Sequence, residues 1–115
     1  MPRDLRLRIA DILGAIARIE RALDGVELAA FRDDPIRISA VAVEVMIIGE
    51  AASQVPGAVR DEAPDVPWAV MRAMRNRLTH EYYALNADIL FETAVRDIPL
   101  LTAPLNTLLA RLDLS

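Results

Sequence analysis

The chain of 115 residues has no cysteine and no lysine, one histidine, and only 4% aromatic residues. Without cysteine there is no disulfide, no thiolate zinc site and no cysteine nucleophile, so packing alone must stabilise the fold. No run approaches the roughly twenty apolar residues of a membrane span, and the N-terminus lacks the apolar core of a signal peptide. We therefore expect a cytoplasmic protein with no membrane association, forming one domain over residues 1–115.

All thirteen positive charges are arginines, and seventeen acidic residues bring the net charge to −4. Non-specific coating of nucleic acid comes from many phosphate-neutralising cations, so this acidic balance argues against that class of protein. A local arginine-rich site remains compatible with it. The lack of lysine is explained as readily by genomic base composition as by function.

Apolar residues recur at intervals of three and four, the period of an amphipathic helix, and no segment alternates as a strand does. The four predicted main helices begin at Leu5, at Asp34-Pro35, near Pro67-Trp68 and around Asn86 to Asp88. One further helical turn is predicted around Val59 to Ala63. The pattern thus indicates an all-α antiparallel bundle of four main helices.

Caps and breakers set the predicted helix ends. Gly25 offers a left-handed stop to the first helix, and Asp34 can cap the second. Pro99 and Pro104 are expected to bend or split the last helix. The second helix is apolar on almost every side, which predicts that it is sandwiched between neighbours or between subunits. Because an acid in such a helix needs a partner, we expect Glu50 to have a hydrogen bond or an arginine pair across the bundle.

The run from Arg75 to Tyr83, RNRLTHEYY, concentrates the chemistry of the chain, because it holds the only histidine and both tyrosines. Histidine exchanges protons near neutral pH, and the arginine fork matches phosphate oxygens. On a regular helix Arg75 and His80 are separated by roughly 140°. They would therefore meet where the helix ends or distorts, or across a symmetric dimer.

The same run also fits a plainer interpretation, in which His80 has no catalytic role. A histidine on a polar helical face is usually solvated, and an arginine shortly before it is weak support. Asn76 directly after Arg75, and Tyr82 two residues after His80, make the pattern more specific because both residue types are rare here. Tyr82 could equally pack in the core. A lone histidine without clustered carboxylates predicts no metal site, and no cofactor is expected.

The run from Arg75 to His80 resembles the Arg-x4-6-His signature of HEPN domains, and with Tyr82 it resembles the Arg-x4-His-x-Tyr form of the HepT toxins. The resemblance extends through the segment Ile47 to Ala52, the Pro67-Trp68 helix start and the Asp97-Ile98-Pro99 element. It implies a small helical protein that forms a homodimer, with the two signatures facing each other. The chain departs from many relatives at Glu81, where they have glycine, and at Phe91, where they have tryptophan.

The resemblance also implies a function. Relatives are metal-independent endoribonuclease toxins, encoded beside a minimal nucleotidyltransferase antitoxin that neutralises them by transferring AMP to tyrosine. Carried over to this chain, Arg75 and His80 would be catalytic, Asn76 supporting, and Tyr82 the AMP acceptor.

The residue chemistry is consistent with RNA cleavage. Cleavage without a metal needs a base, an acid and a cation, and one chain supplies one histidine, so this hypothesis requires a homodimer. The alternative function is a noncatalytic helical interaction module that docks a nucleotidyltransferase or binds a nucleotide. A diverged family member that keeps the fold without activity is a third possibility.

Overall fold

The computed structural model describes residues 4–80 and 86–113, with the side chains of all of these except residues 77–80. The helices are α1 (Leu5–Leu23), α2 (Leu28–Arg32), α3 (Pro35–Ser53), α4 (Gly57–Glu62), α5 (Trp68–His80), α6 (Ala87–Glu92) and α7 (Thr102–Asp113). The described residues include no strand, which confirms the all-α prediction. None of the helices within these ranges has the length and apolar character needed to cross a bilayer.

The predicted caps are present. Asp34 accepts a hydrogen bond from the Arg37 backbone N–H at 3.0 Å, and Pro35 occupies the first turn of α3. That N–H, followed by the Arg37 guanidinium, lowers the pKa of Asp34 below its usual value. Asn86, one end of the predicted start of the last helix, caps α6 by accepting from the backbone N–H groups of Asp88 and Ile89. Gly25 has a φ of +72°, the left-handed geometry predicted for the stop after α1.

Helix α3 packs against both α1 and α5, and α7 packs against α1. The ion pair of Arg18 with Glu44, at 2.5 Å, joins the second half of α1 to the middle of α3. Arg37, near the start of α3, donates to the carbonyl of Ala22 near the end of α1. These two contacts show that α1 and α3 are antiparallel neighbours, as the sequence predicts.

The C-terminal helical region departs from α-helical geometry around Pro99. A π-helical turn covers Thr93–Asp97 and a 3-10 turn covers Ile98–Leu101, between α6 and α7. Proline has no N–H and crowds the preceding turn, which accounts for the change in geometry. Pro104 falls in the first turn of α7, where its missing N–H is tolerated. The interruption expected at Pro99 is therefore present, whereas the one expected at Pro104 was wrong, because α7 continues through that residue.

A clasp between α2 and α6, made by Phe31, Arg32, Asp88 and Phe91, was not predicted from the sequence. The two phenylalanine rings are tilted with centroids 5.3 Å apart, and Phe31 is fully buried. Arg32 binds both carboxylate oxygens of Asp88, at 2.7 and 2.8 Å. The hydrogen bond from Arg32 lowers the pKa of Asp88.

Helix α3 leaves one apolar face in solvent. Ile36, Val43 and Met46 are 83%, 53% and 37% exposed, respectively, and are here called the α3 stripe. Their spacing of seven and three residues puts them on one helical face, and Glu50 follows four residues later on the same face. Helix α3 was predicted to be sandwiched between neighbours or between subunits. Helices α1 and α5 are its neighbours within the chain, and a second subunit on the α3 stripe stays a prediction.

Candidate functional site

Helix α5 carries the arginine and histidine of the motif, and its start is fixed by the core. Trp68 is buried and its indole N–H donates to the carbonyl of Ala63 at 3.1 Å. Met71 is fully buried and Met74 is partly buried against the core, so this face of α5 points inward. Asn76 is exposed on another side of the same helix. The amphipathic pattern of α5 thus leaves a polar face accessible to a ligand.

Gly49 brings α3 and α5 into close contact beside Arg75. A methyl group added at position 49 would lie 2.9 Å from the Met71 carbonyl oxygen and 3.0 Å from the Arg75 Cα, and it would overlap the Arg75 Cβ. Only glycine leaves room for this approach. Gly49 was not predicted as a contact residue, although a glycine inside a long apolar helix is a sequence signal of close backbone contact.

The Arg75 guanidinium is held by residues of both helices. Its Nε lies 3.1 Å from Oε2 of Glu50, and its Nη1 donates to Oδ1 of Asn76 at 3.0 Å. The arginine pair expected for Glu50 is therefore present. The other carboxylate oxygen of Glu50 accepts from the amide of Gln54 at 3.5 Å. A short chain of polar contacts thus links Gln54 and Glu50 to the head of Arg75.

Arg75 and Glu50 both remain accessible, since their side chains are 38% and 51% exposed. The Nη2 atom of Arg75 has no hydrogen bond to any residue in the described part of the chain. A guanidinium with a free terminal nitrogen is suited to bind a phosphate oxygen.

His80 is the last residue of α5, five residues after Arg75 on one helix. On an α-helix this spacing separates the two Cα positions by about 7.5 Å along the axis and by roughly 140° around it. The side chain of His80 and the whole of Tyr82 lie outside the described residues. Of the four predicted site residues, the structure thus brings together Arg75 and Asn76.

Among the residues that the structure describes, no group of three or more histidine, aspartate or glutamate side chains is arranged to hold a metal ion. The described polar groups around Arg75 are the Glu50 carboxylate and the amides of Asn76 and Gln54. Arg75 is the cation of this group, and the carboxylate and amides are linked to it by polar contacts.

Comparison with known proteins identifies the family of this fold and motif. A sequence model described as "Ribonuclease HepT-like" matches residues 12–108. A protein of Caldanaerobacter subterraneus subsp. tengcongensis, named "Putative RNase", is 37% identical over 81 residues, which cover 70% of this chain and 71% of that protein. "Probable ribonuclease HepT" of Thermococcus cleftensis is 32% identical over 99 residues, covering 86% of this chain and 90% of the relative. No solved structure matches.

Proposed function

This chain belongs to the HepT-like ribonuclease family, and we propose that it is a metal-independent endoribonuclease that cleaves RNA as a homodimer. The observation that carries this proposal is the held, accessible Arg75 guanidinium, five residues before the only histidine of the chain. Arg75 and His80 are the proposed catalytic residues, and Asn76 supports them through its contact with Arg75.

Cleavage of RNA without a metal divides into three tasks. A base takes the proton of the 2′-hydroxyl, whose oxygen then attacks the adjacent phosphorus. The bond from phosphorus to the 5′-oxygen breaks while an acid protonates that oxygen, which leaves a 2′,3′-cyclic phosphate and a 5′-hydroxyl. His80 serves as base or acid, and Arg75 stabilises the charge on the phosphorane.

A second copy of the chain provides the second imidazole that this mechanism needs. The α3 stripe runs along one face of α3 to Glu50, which contacts Arg75. A second copy packed on this stripe about a twofold axis would place the same residues of both chains near each other. The exposed apolar side chains of the stripe favour such a partner over solvent.

The proposed biological role is that of a toxin paired with a minimal nucleotidyltransferase antitoxin. Tyr82 completes the Arg-x4-His-x-Tyr pattern and is the proposed acceptor of AMP. A nucleotide on this tyrosine would add negative charge two residues from His80, where the RNA phosphate must bind. Modification of Tyr82 would then inhibit cleavage through repulsion and steric exclusion.

The test is cleavage of RNA by the purified protein in EDTA. We expect cyclic phosphate ends from the unmodified protein, and a loss of at least about a hundredfold in R75A and H80A because each removes one of the three tasks. R96A is the matched control, since the Arg96 side chain is 78% exposed on the C-terminal helical region. Equal cleavage by R75A, H80A and R96A would refute the proposal.

The antitoxin role has its own test. The protein is coexpressed with a candidate nucleotidyltransferase and its intact mass is measured, with Y82F as the control. Additions of AMP that disappear in Y82F support the role. If Y82F carries the same additions, Tyr82 is not the acceptor. If H80A still inhibits growth, leaves RNA intact and binds the partner, the protein is a noncatalytic interaction module and not a nuclease.

A further inference from the structure

We infer that Glu50 is a positioning residue for Arg75, which it orients so that the terminal nitrogens of the guanidinium are directed to the RNA phosphate. This inference rests on the proposed function, because it assigns Arg75 the phosphate. Glu50 contacts the Nε of Arg75, while Nη2 has no hydrogen bond to any described residue. The carboxylate and a phosphate can therefore bind different atoms of the same guanidinium.

The backbone beneath this pair is fixed. Gly49 packs directly against the Arg75 backbone, so Glu50, the next residue, starts at a defined distance from the arginine stem. Gln54, which directly follows the last residue of α3, donates to Oε1 of Glu50 and leaves Oε2 for Arg75. The carboxylate is thus placed by its own helix before it meets the arginine. This is the arrangement expected of a group that orients another side chain.

The exposure of both partners argues against stability as the main role of this pair. Ion pairs in solvent contribute little to folding because their attraction is screened and side-chain entropy is lost. The orientation of a reacting group has a large effect on the reaction rate, since a displacement of about 1 Å can slow a reaction about a hundredfold. Without Glu50, the hydrogen bond to Asn76 would be the one polar contact of the Arg75 guanidinium left among the described residues.

Glu44 offers a matched control on the same helix. It pairs with Arg18 of α1 at 2.5 Å, so its substitution also breaks a glutamate–arginine pair, but at a distance from the motif. The experiment measures kcat and KM of RNA cleavage for the full chain and for E50A, E50Q, E44A and E44Q. Thermal unfolding of each variant confirms that it is folded.

We expect E50A to lower kcat by about ten- to a hundredfold with KM changed less than about threefold, because the transition-state contact of Arg75 is affected most. E50Q retains an oxygen near Nε and should recover part of the loss. E44A and E44Q should stay within about twofold of the unmodified protein. Unchanged cleavage by E50A, or faster cleavage, overturns the inference, and faster cleavage would show that Glu50 competes with phosphate.

A second measurement does not depend on activity. Nitrogen-15 relaxation of the Arg75 Nε–H group, assigned by its disappearance in R75K, reports the order of the guanidinium. We expect this group to be ordered in the unmodified protein and in E44A, and mobile in E50A. Equal order in E50A overturns the inference. If the unmodified protein cleaves no RNA, the proposed function fails, while this relaxation measurement still decides whether Glu50 fixes Arg75.

Discussion

Gly49 of α3 and Arg75 of α5 are in direct backbone contact, with the arginine Cβ in the space that a side chain at position 49 would occupy. The contact joins the centre of the apolar helix to the polar motif. It sets the separation of α3 and α5 where Glu50 reaches the guanidinium. The geometry of the candidate site therefore depends on a residue that has no functional group.

A methyl group at position 49 should destabilise the protein. In G49A the new Cβ would meet the Met71 carbonyl and the Arg75 backbone, neither of which can move without separating α3 from α5. Overpacking of this kind costs about 1–3 kcal/mol of the free energy of unfolding. Urea denaturation followed by circular dichroism measures it.

The control for this prediction is the same substitution in α1. A methyl group at Gly14 would lie 3.2 Å from Nη1 of Arg18, the far end of a flexible side chain. Alanine is also the better helix former by about 1 kcal/mol, so G14A should match or exceed the stability of the unmodified protein. Equal destabilisation in G14A and G49A would contradict the argument from close helix contact.

A lysine at position 75 should not support RNA cleavage. The R75K side chain keeps one positive charge, but it has no Nε to meet Glu50 and no planar fork for phosphate. We expect RNA cleavage to fall at least about a hundredfold, measured with a labelled oligonucleotide in EDTA. R96K, at an exposed arginine, should cleave normally. Activity of R75K close to that of R96K would mean that charge alone suffices at position 75.

A charge on the α3 stripe should dissociate the proposed dimer. Val43 is 53% exposed at the middle of the stripe, and V43E would place a carboxylate where a second copy packs. We expect V43E to sediment as a monomer and to lose cleavage with its fold intact. L100E, at a side chain that is 74% exposed in the 3-10 turn, should remain dimeric and active. A dimeric V43E would place the interface elsewhere.

Acid should weaken the fold through Asp34. The backbone N–H of Arg37 lowers the pKa of Asp34 in the folded state, so below the ordinary value of 3.8 the unfolded chain takes up the proton first. The stabilisation is therefore present above that value and is lost as the pH falls through the lower folded pKa. We expect the midpoint temperature of thermal unfolding to fall as the pH is lowered through this range.

Two substitutions separate charge from capping at this position. D34N keeps an oxygen for the Arg37 N–H and removes the titration, so its midpoint should depend less on pH in this range. D34A removes both and should unfold at a lower temperature than D34N at neutral pH. Thermal scans from pH 2.5 to pH 7 measure both effects. An acid response in D34N equal to that of the unmodified protein would exclude Asp34 as its source.

Much of the fold could be predicted from the sequence because its signals are local. The period of the apolar residues and the caps at Asp34 and Asn86 determine where the main helices begin, and Gly25 marks where α1 ends. The last helical region changes geometry at Pro99 as expected. Pro104 does not interrupt α7, because a proline in a first turn has no hydrogen bond to lose.

The remaining features depend on contacts between distant residues. Helix α2 has five residues, too few for a helical period to be visible, and it is stabilised by the packing of Phe31 on Phe91. The sequence suggested an arginine for Glu50 but could not say which one, since thirteen are available. The choice of Arg75 follows from the contact at Gly49, which only the packed helices show.

The clasp between α2 and α6 has a consequence for the topology of the chain. Arg32 and Asp88 are 56 residues apart in sequence, and their contact closes a loop that contains α3, α4 and α5. Holding the ends of a loop together reduces the entropy that the enclosed segment gains on opening. Amide hydrogen exchange in α3 and α5 should therefore accelerate together when Arg32 is replaced, because the enclosed helices would open as one cooperative unit.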